Sequence, residues 1–170
     1  EPTFSIDTTV PIQGTPWVSE VEGIFNYITY NVQVNPAGNP ALGNSYYIDK
    51  GDGNGYVEHP DITFERGYVY SFIFTDAGAG THPIHLSTTE DGTHTGGTRY
   101  TTNVRNHYDA NGVLDGYQYI ITDTTPTTLY YYCEIHPDMA GASGNRATIT
   151  TSGTFGSGAA VDIATLTRAQ

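Results

Sequence analysis

Alternation of apolar and polar residues is the feature that most limits how this chain can fold. In residues 24–34 (IFNYITYNVQV), Ile28, Tyr30, Val32 and Val34 fall on one face of an extended segment. Aromatic and β-branched runs of the same kind recur at residues 67–74, 116–122, 128–133 and 146–152. No window carries the apolar repeat that an amphipathic helix needs. The pattern predicts an all-β fold built from many short strands.

Clusters of Gly, Pro, Asn and Asp separate these runs and predict turns at residues 35–44, 49–55, 76–80 and 109–116. Many short strands with such turns are typical of an antiparallel sandwich or barrel. The chain has 170 residues, and we expect a single domain. Its core is predicted at about residues 26–151, with an N-terminal extension (1–25) and a C-terminal tail (152–170).

Charge and composition limit the partners. Lys and Arg total 6 against 18 Asp and Glu, which gives a formal net charge of −12. Nucleic-acid binding is therefore not expected, whereas a basic partner would be attracted. The chain contains no stretch of 18 apolar residues, so no membrane span is predicted. The chain begins at Glu1 and is rich in Thr, Gly, Asn and Tyr. From this we expect a removed signal peptide and a secreted, extracellular or periplasmic location.

The only cysteine and the only methionine of the chain lie six residues apart in YYYCEIHPDMAG (130–141). Cys133, His136 and Met139 follow the spacing C-x2-H-x2-M, and a proline and a glycine predict a tight loop there. Thiolate, imidazole and thioether form a soft donor set that suits copper, whereas structural zinc seldom uses methionine. A complete site of this kind needs a second imidazole from elsewhere in the chain.

Residues 77–94 (AGAGTHPIHLSTTEDGTH) contain three candidates for that imidazole, His82, His85 and His94. His82 and His85 both lie in THPIHL, three residues apart. In an extended segment these two side chains point to opposite faces, so only one of them should reach the metal. The residues alone leave the choice open. No Ser-His-Asp order, phosphate-binding glycine loop or carboxylate pair is found, so we do not expect an enzyme.

The loop and THPIHL together resemble the cupredoxin (blue copper) family, with an amicyanin-like ligand loop. The likeness covers roughly residues 26–151. It implies a Greek-key β-sandwich, one type 1 copper, and one-electron transfer with a basic redox partner. It also implies the ligands His82, Cys133, His136 and axial Met139. His82 is preferred to His85 because THPIHL is similar to a multicopper-oxidase segment whose first histidine binds the blue copper.

A second resemblance favours a different role. Four segments of the chain resemble cupredoxin-like modules of marine bacterial surface proteins and phage structural proteins. These segments are SYYIDK, ERGYVYSF, THPIHLSTTEDGTHTGGTRYTTNV and PTTLYYYCEIHPDMAG. In such a structural or filament-forming module, copper would be structural or absent. The end segments would then join neighbouring copies by strand addition. A copper-sequestering protein without electron transfer would need the same ligands.

Overall fold

The computed structural model describes residues 26–34 and 44–154. The predicted N-terminal extension, residues 35–43 of the first predicted turn and residues 155–170 of the predicted tail lie outside the described residues. Where the chain is described, it forms short strands joined by turns, one short α-helix and one 3₁₀ helix at Gly92–Thr95. The strands are β1 (Asn26–Val34), β2 (Tyr46–Asp49), β3 (Tyr56–Glu58), β4 (Ile62–Glu65), β5 (Tyr68–Phe74), β6 (Ile84–Ser87), β7 (Val104–Tyr108), β8 (Leu114–Ile120), β9 (Thr128–Cys133) and β10 (Thr148–Ser152).

These strands form two sheets. Six strands follow the order β3-β2-β1-β5-β8-β7, and four follow the order β4-β10-β9-β6. β1 pairs with β5 in parallel, as β4 does with β10, and the other described pairings are antiparallel. Both sheets are therefore mixed, and the expectation of purely antiparallel pairing is wrong at these two places. Alternation has a period of two residues in either kind of sheet, so it does not reveal strand direction.

Aromatic side chains fill the space between the sheets. Phe64 of β4 stacks on Tyr70 of β5 with ring centroids 4.2 Å apart, and Tyr46 of β2 meets Tyr131 of β9 at 6.3 Å. Buried apolar residues of both sheets form one cluster. The predicted all-β sandwich is thereby confirmed, whereas the Greek-key order of its connections stays a prediction.

The predicted turn at residues 76–80 is instead the start of the short helix α1 (Ala77–Thr81). Asp76 caps this helix, since its Oδ1 accepts a hydrogen bond from the Ala79 N–H at 2.5 Å. Its Oδ2 accepts another from the Val34 N–H at the end of β1, at 3.0 Å. The carboxylate therefore fixes α1 against the six-stranded sheet, and His82 follows directly after this helix.

Candidate metal centre

Strand pairing brings two distant pieces of the chain together at the candidate site. Cys133 is the last residue of β9, and it lies opposite Ile84, the first residue of β6. His82 precedes Ile84 by two residues and directly follows α1 as its C-cap residue. His136 lies in the loop three residues after Cys133. The register of β6 on β9 therefore places the His82 imidazole beside both the Cys133 thiol and the His136 imidazole.

The ligand atoms of these three residues lie within 4.8 Å of one another. The Cys133 Sγ lies 3.8 Å from the His82 Nδ1, and that nitrogen lies 3.0 Å from the His136 Nδ1. Bonds of about 2.0 Å to imidazole and about 2.3 Å to thiolate would put ligand atoms of one ion roughly 3–4 Å apart. The observed separations match that range. His82, Cys133 and His136 therefore form a group that could hold a metal ion.

No family model, curated protein or solved structure matches this chain. The likeness to cupredoxins accordingly stays an expectation from the sequence, and the support for metal binding comes from the positions of the side chains themselves. Within the described part of the chain, no helix is long and apolar enough to cross a membrane.

The thiol of Cys133 is buried and lies within reach of two backbone N–H groups. The N–H groups of Ile135 and His136 point at the Sγ from 3.4 and 3.5 Å. The backbone of the loop thus supplies donors that a metal-bound sulfur can use.

The two imidazoles differ in exposure. His82 is half-buried and His136 is exposed. Burial, and then the neighbouring His136 ring, lowers the pKa of His82 below its ordinary value of 6.5, and the Asp76 carboxylate opposes this. A lower pKa keeps His82 neutral at physiological pH, and the neutral imidazole is the form that binds metals.

Met139 is buried in the same loop, and its backbone carbonyl accepts a hydrogen bond of 2.9 Å from the Tyr46 N–H. Asp138, one residue earlier, has a φ of 61°, in the left-handed region. This turn carries the chain from the exposed His136 to the buried thioether. The role of Met139 as an axial ligand stays a prediction.

His85, the other candidate for the upstream imidazole, lies outside this group. Its side chain is fully buried, and its Nε2 donates to the Glu134 carboxylate at 3.1 Å. The Tyr117 ring packs on it at 4.6 Å, and its Nδ1 has no hydrogen-bond partner among the described residues. Burial, and then the positive charge of Arg99, lowers the pKa of His85 to about 4, although Glu134 opposes the shift.

The lowered pKa of His85 predicts a specific loss of stability in acid. An unfolded chain protonates this ring near pH 6.5, whereas the folded protein keeps it neutral down to about pH 4. Between these values the unfolded state binds more protons, so stability falls as the pH drops, by up to about 3 kcal/mol. Urea unfolding of the metal-free protein at pH 7 and pH 4.5 measures this fall.

Two variants separate His85 from the other titrating groups. His85→Gln should flatten the pH dependence, because glutamine does not titrate. His107→Gln controls for the loss of one histidine outside the core, since the His107 ring is one-third exposed. Equal slopes in wild type and His85→Gln would show that the pKa of His85 is the same in the folded and unfolded states.

Sequence reasoning missed an ion pair that fixes the ligand loop. The buried Asp91 carboxylate accepts hydrogen bonds from the Asp138 N–H at 3.1 and 3.3 Å. Arg146, whose side chain is 7% exposed, reaches the same carboxylate at 3.3 Å and also bonds to the Asp138 side chain. Glu90 lies 3.6 Å from this guanidinium. No spacing rule connects residues this far apart in sequence.

His94, the third candidate histidine, has polar surroundings in the sequence that favour a surface position, and it lies outside the group of His82, Cys133 and His136. Its ring is exposed, yet its Nε2 lies 2.8 Å from the carbonyl oxygen of Cys133. A carbonyl only accepts, so this nitrogen carries the proton and donates. The 3₁₀ helix that contains His94 is thereby attached to the backbone of Cys133.

Proposed function

We propose that this chain is a cupredoxin-like copper protein that carries single electrons and is not an enzyme. The observation that supports this is the group of His82, Cys133 and His136, whose ligand atoms lie within 4.8 Å of one another. Met139 would complete the proposed ligand set with its thioether sulfur. All four residues come from THPIHL and YYYCEIHPDMAG, the two segments that resemble the ligand loops of blue copper proteins.

The donor set favours copper over other common ions. Magnesium and calcium prefer oxygen ligands, and the group offers two nitrogens and one sulfur. Zinc accepts cysteine and histidine, but its structural sites use four such ligands in a closed tetrahedron. Two imidazoles with one thiolate and a long thioether bond are the set that copper accepts in electron-transfer sites.

Copper bound here would supply one-electron redox chemistry, cycling between its two common oxidation states. The chain holds the ligands in fixed positions through backbone bonds, and it keeps Cys133 away from water. His136 is the exposed member of the group, so a partner can approach its ring most closely. With a net charge of −12, the protein is suited to a basic redox partner. We place this role outside the cytoplasm.

Assembly into a filament or a particle is the alternative role. It would use the two end segments, most of which lie outside the described residues. The grouped nitrogen and sulfur atoms favour the carrier, because a purely structural module needs no such group. Copper storage without electron transfer would use the same ligands and differs only in redox behaviour.

Copper titration of the full metal-free chain tests the proposal. One equivalent of Cu(II) should bind per chain and give an intense thiolate-to-copper absorption in the visible range. Ascorbate should remove this absorption, and a mild oxidant should restore it. Binding of Zn(II) in preference to copper, or copper binding without that absorption, would contradict the proposal. Colour without reversible reduction would favour storage.

A further inference from the structure

Tyr46 contacts both segments that supply the proposed ligands. Its hydroxyl donates to the backbone carbonyl of His82 at 2.7 Å, and its backbone N–H donates to the carbonyl of Met139 at 2.9 Å. The side chain is fully buried. One residue of β2 is thus bonded to the segment before β6 and to the loop after β9.

The hydroxyl bond is significant because of Pro83. Proline has no backbone N–H, so Pro83 contributes only its carbonyl, which accepts a hydrogen bond from the Glu134 N–H at 3.1 Å. Proline also disfavours the helical conformation at the residue before it, and His82 has a φ of −125° and a ψ of 78°. The His82 N–H bonds to Ala79 within α1, whereas its carbonyl is held from the opposite sheet by Tyr46.

The ring of Tyr46 is itself fixed. It packs edge-on against Tyr131 of β9 with centroids 6.3 Å apart, and β2 belongs to the six-stranded sheet while β9 belongs to the four-stranded one. Because the Tyr46 ring is packed between the two sheets, its hydroxyl is held in one position. The carbonyl that it holds belongs to the residue whose imidazole faces Cys133.

We propose that Tyr46 is a positioning residue of the metal centre, which sets the placement of the His82 imidazole relative to the Cys133–Met139 loop. This inference rests on the proposed function. Tyr46 acts through the backbone of the two ligand segments, and its hydroxyl also interacts directly with the Cys133 side chain. Groups that orient metal ligands typically contribute about 10- to 100-fold to metal affinity.

Tyr131→Phe provides a matched control for Tyr46→Phe. Tyr131 is also buried, and its hydroxyl donates to the Pro60 carbonyl at 3.0 Å. Each variant removes one oxygen and one hydrogen bond from a phenol to a backbone carbonyl. Each should lower the folding equilibrium constant by about 5- to 10-fold, as lost hydrogen bonds do. Only Tyr46 is bonded to a ligand residue.

Two measurements on the full chain test the proposal. In the metal-free protein, the rate at which a thiol reagent modifies Cys133 reports local opening of the loop. This rate should rise about 5-fold in Tyr46→Phe, for one lost hydrogen bond, and stay near wild type in Tyr131→Phe. In the second measurement, the dissociation constant for Co(II) or Cu(II) should rise about 10-fold or more in Tyr46→Phe alone, with a shifted absorption spectrum.

Each outcome decides one question. Equal thiol rates and equal metal affinities in the two variants would show that Tyr46 contributes only to stability, and the proposal would be wrong. An unfolded Tyr46→Phe protein would assign this residue to the core and also overturn it. If wild type binds neither metal, the proposed function fails, and the thiol rates still decide whether Tyr46 positions these segments.

Discussion

Asp91→Ala should destabilise the folded protein by about 3 kcal/mol or more, since removing one partner of a buried ion pair leaves the other charge uncompensated. The Asp91 side chain is 2% exposed, and it accepts from both the Asp138 N–H and the Arg146 guanidinium. Alanine leaves the N–H without this acceptor and Arg146 without its buried counter-charge. Glu90 and Asp138 still face Arg146, but both are about half exposed, so solvent screens their compensation.

Urea unfolding of the metal-free chain measures this loss. Glu90→Gln is the control, because Glu90 pairs with the same guanidinium from an exposed position, and its loss should cost less than about 1 kcal/mol. Asp91→Asn should fall between the two, since an amide oxygen still accepts from Asp138 but carries no charge. If Asp91→Ala costs no more than Glu90→Gln, the ion pair does not stabilise the loop.

Cys133→Ser should abolish the visible absorption of the copper-loaded protein altogether. The absorption requires a sulfur-to-copper bond, and serine offers a harder and less acidic oxygen in its place. Affinity for Cu(I) should fall more than affinity for Cu(II), because the reduced ion depends more on soft ligands. Absorption spectra and competition with a chromophoric copper chelator measure both effects.

Met139→Leu is the matched variant in the same loop. Leucine nearly conserves the volume of this buried side chain, so the fold should tolerate the change. Removing only the proposed thioether ligand should keep the intense absorption and shift its wavelength and the reduction potential. A copper spectrum that survives in Cys133→Ser would exclude the thiolate as a ligand. A spectrum unchanged in Met139→Leu would exclude the thioether.

Local patterns in the sequence predicted five of the ten strands in the described part of the chain, and they predicted the loop after Cys133. Strand β9 spans the predicted residues 128–133, and the buried face of β1 carries Tyr30, Val32 and Val34 as the alternation indicates. The C-x2-H-x2-M spacing is short, so the loop itself brings Cys133 and His136 together. These features depend on neighbours in the sequence, which is why they could be predicted.

The remaining features depend on contacts between distant segments. The parallel pairing of β1 with β5 is set by tertiary packing, and period-two alternation does not encode it. Asp91 and Arg146 are 55 residues apart, and Tyr46 and His82 are 36 apart. A single sequence gives no sign that these pairs meet. Alternation did indicate that one of two histidines would face the loop, but packing decided which.

The depth at which Cys133 lies has a consequence for handling the protein in air. It is the only cysteine of the chain, and no part of its side chain reaches the surface while the fold is intact. Two intact molecules therefore cannot bring their sulfurs into contact and become covalently linked. The amount of disulfide-linked dimer in an aged sample would accordingly report how many molecules had unfolded. A non-reducing gel would therefore serve as a simple assay of the folded fraction.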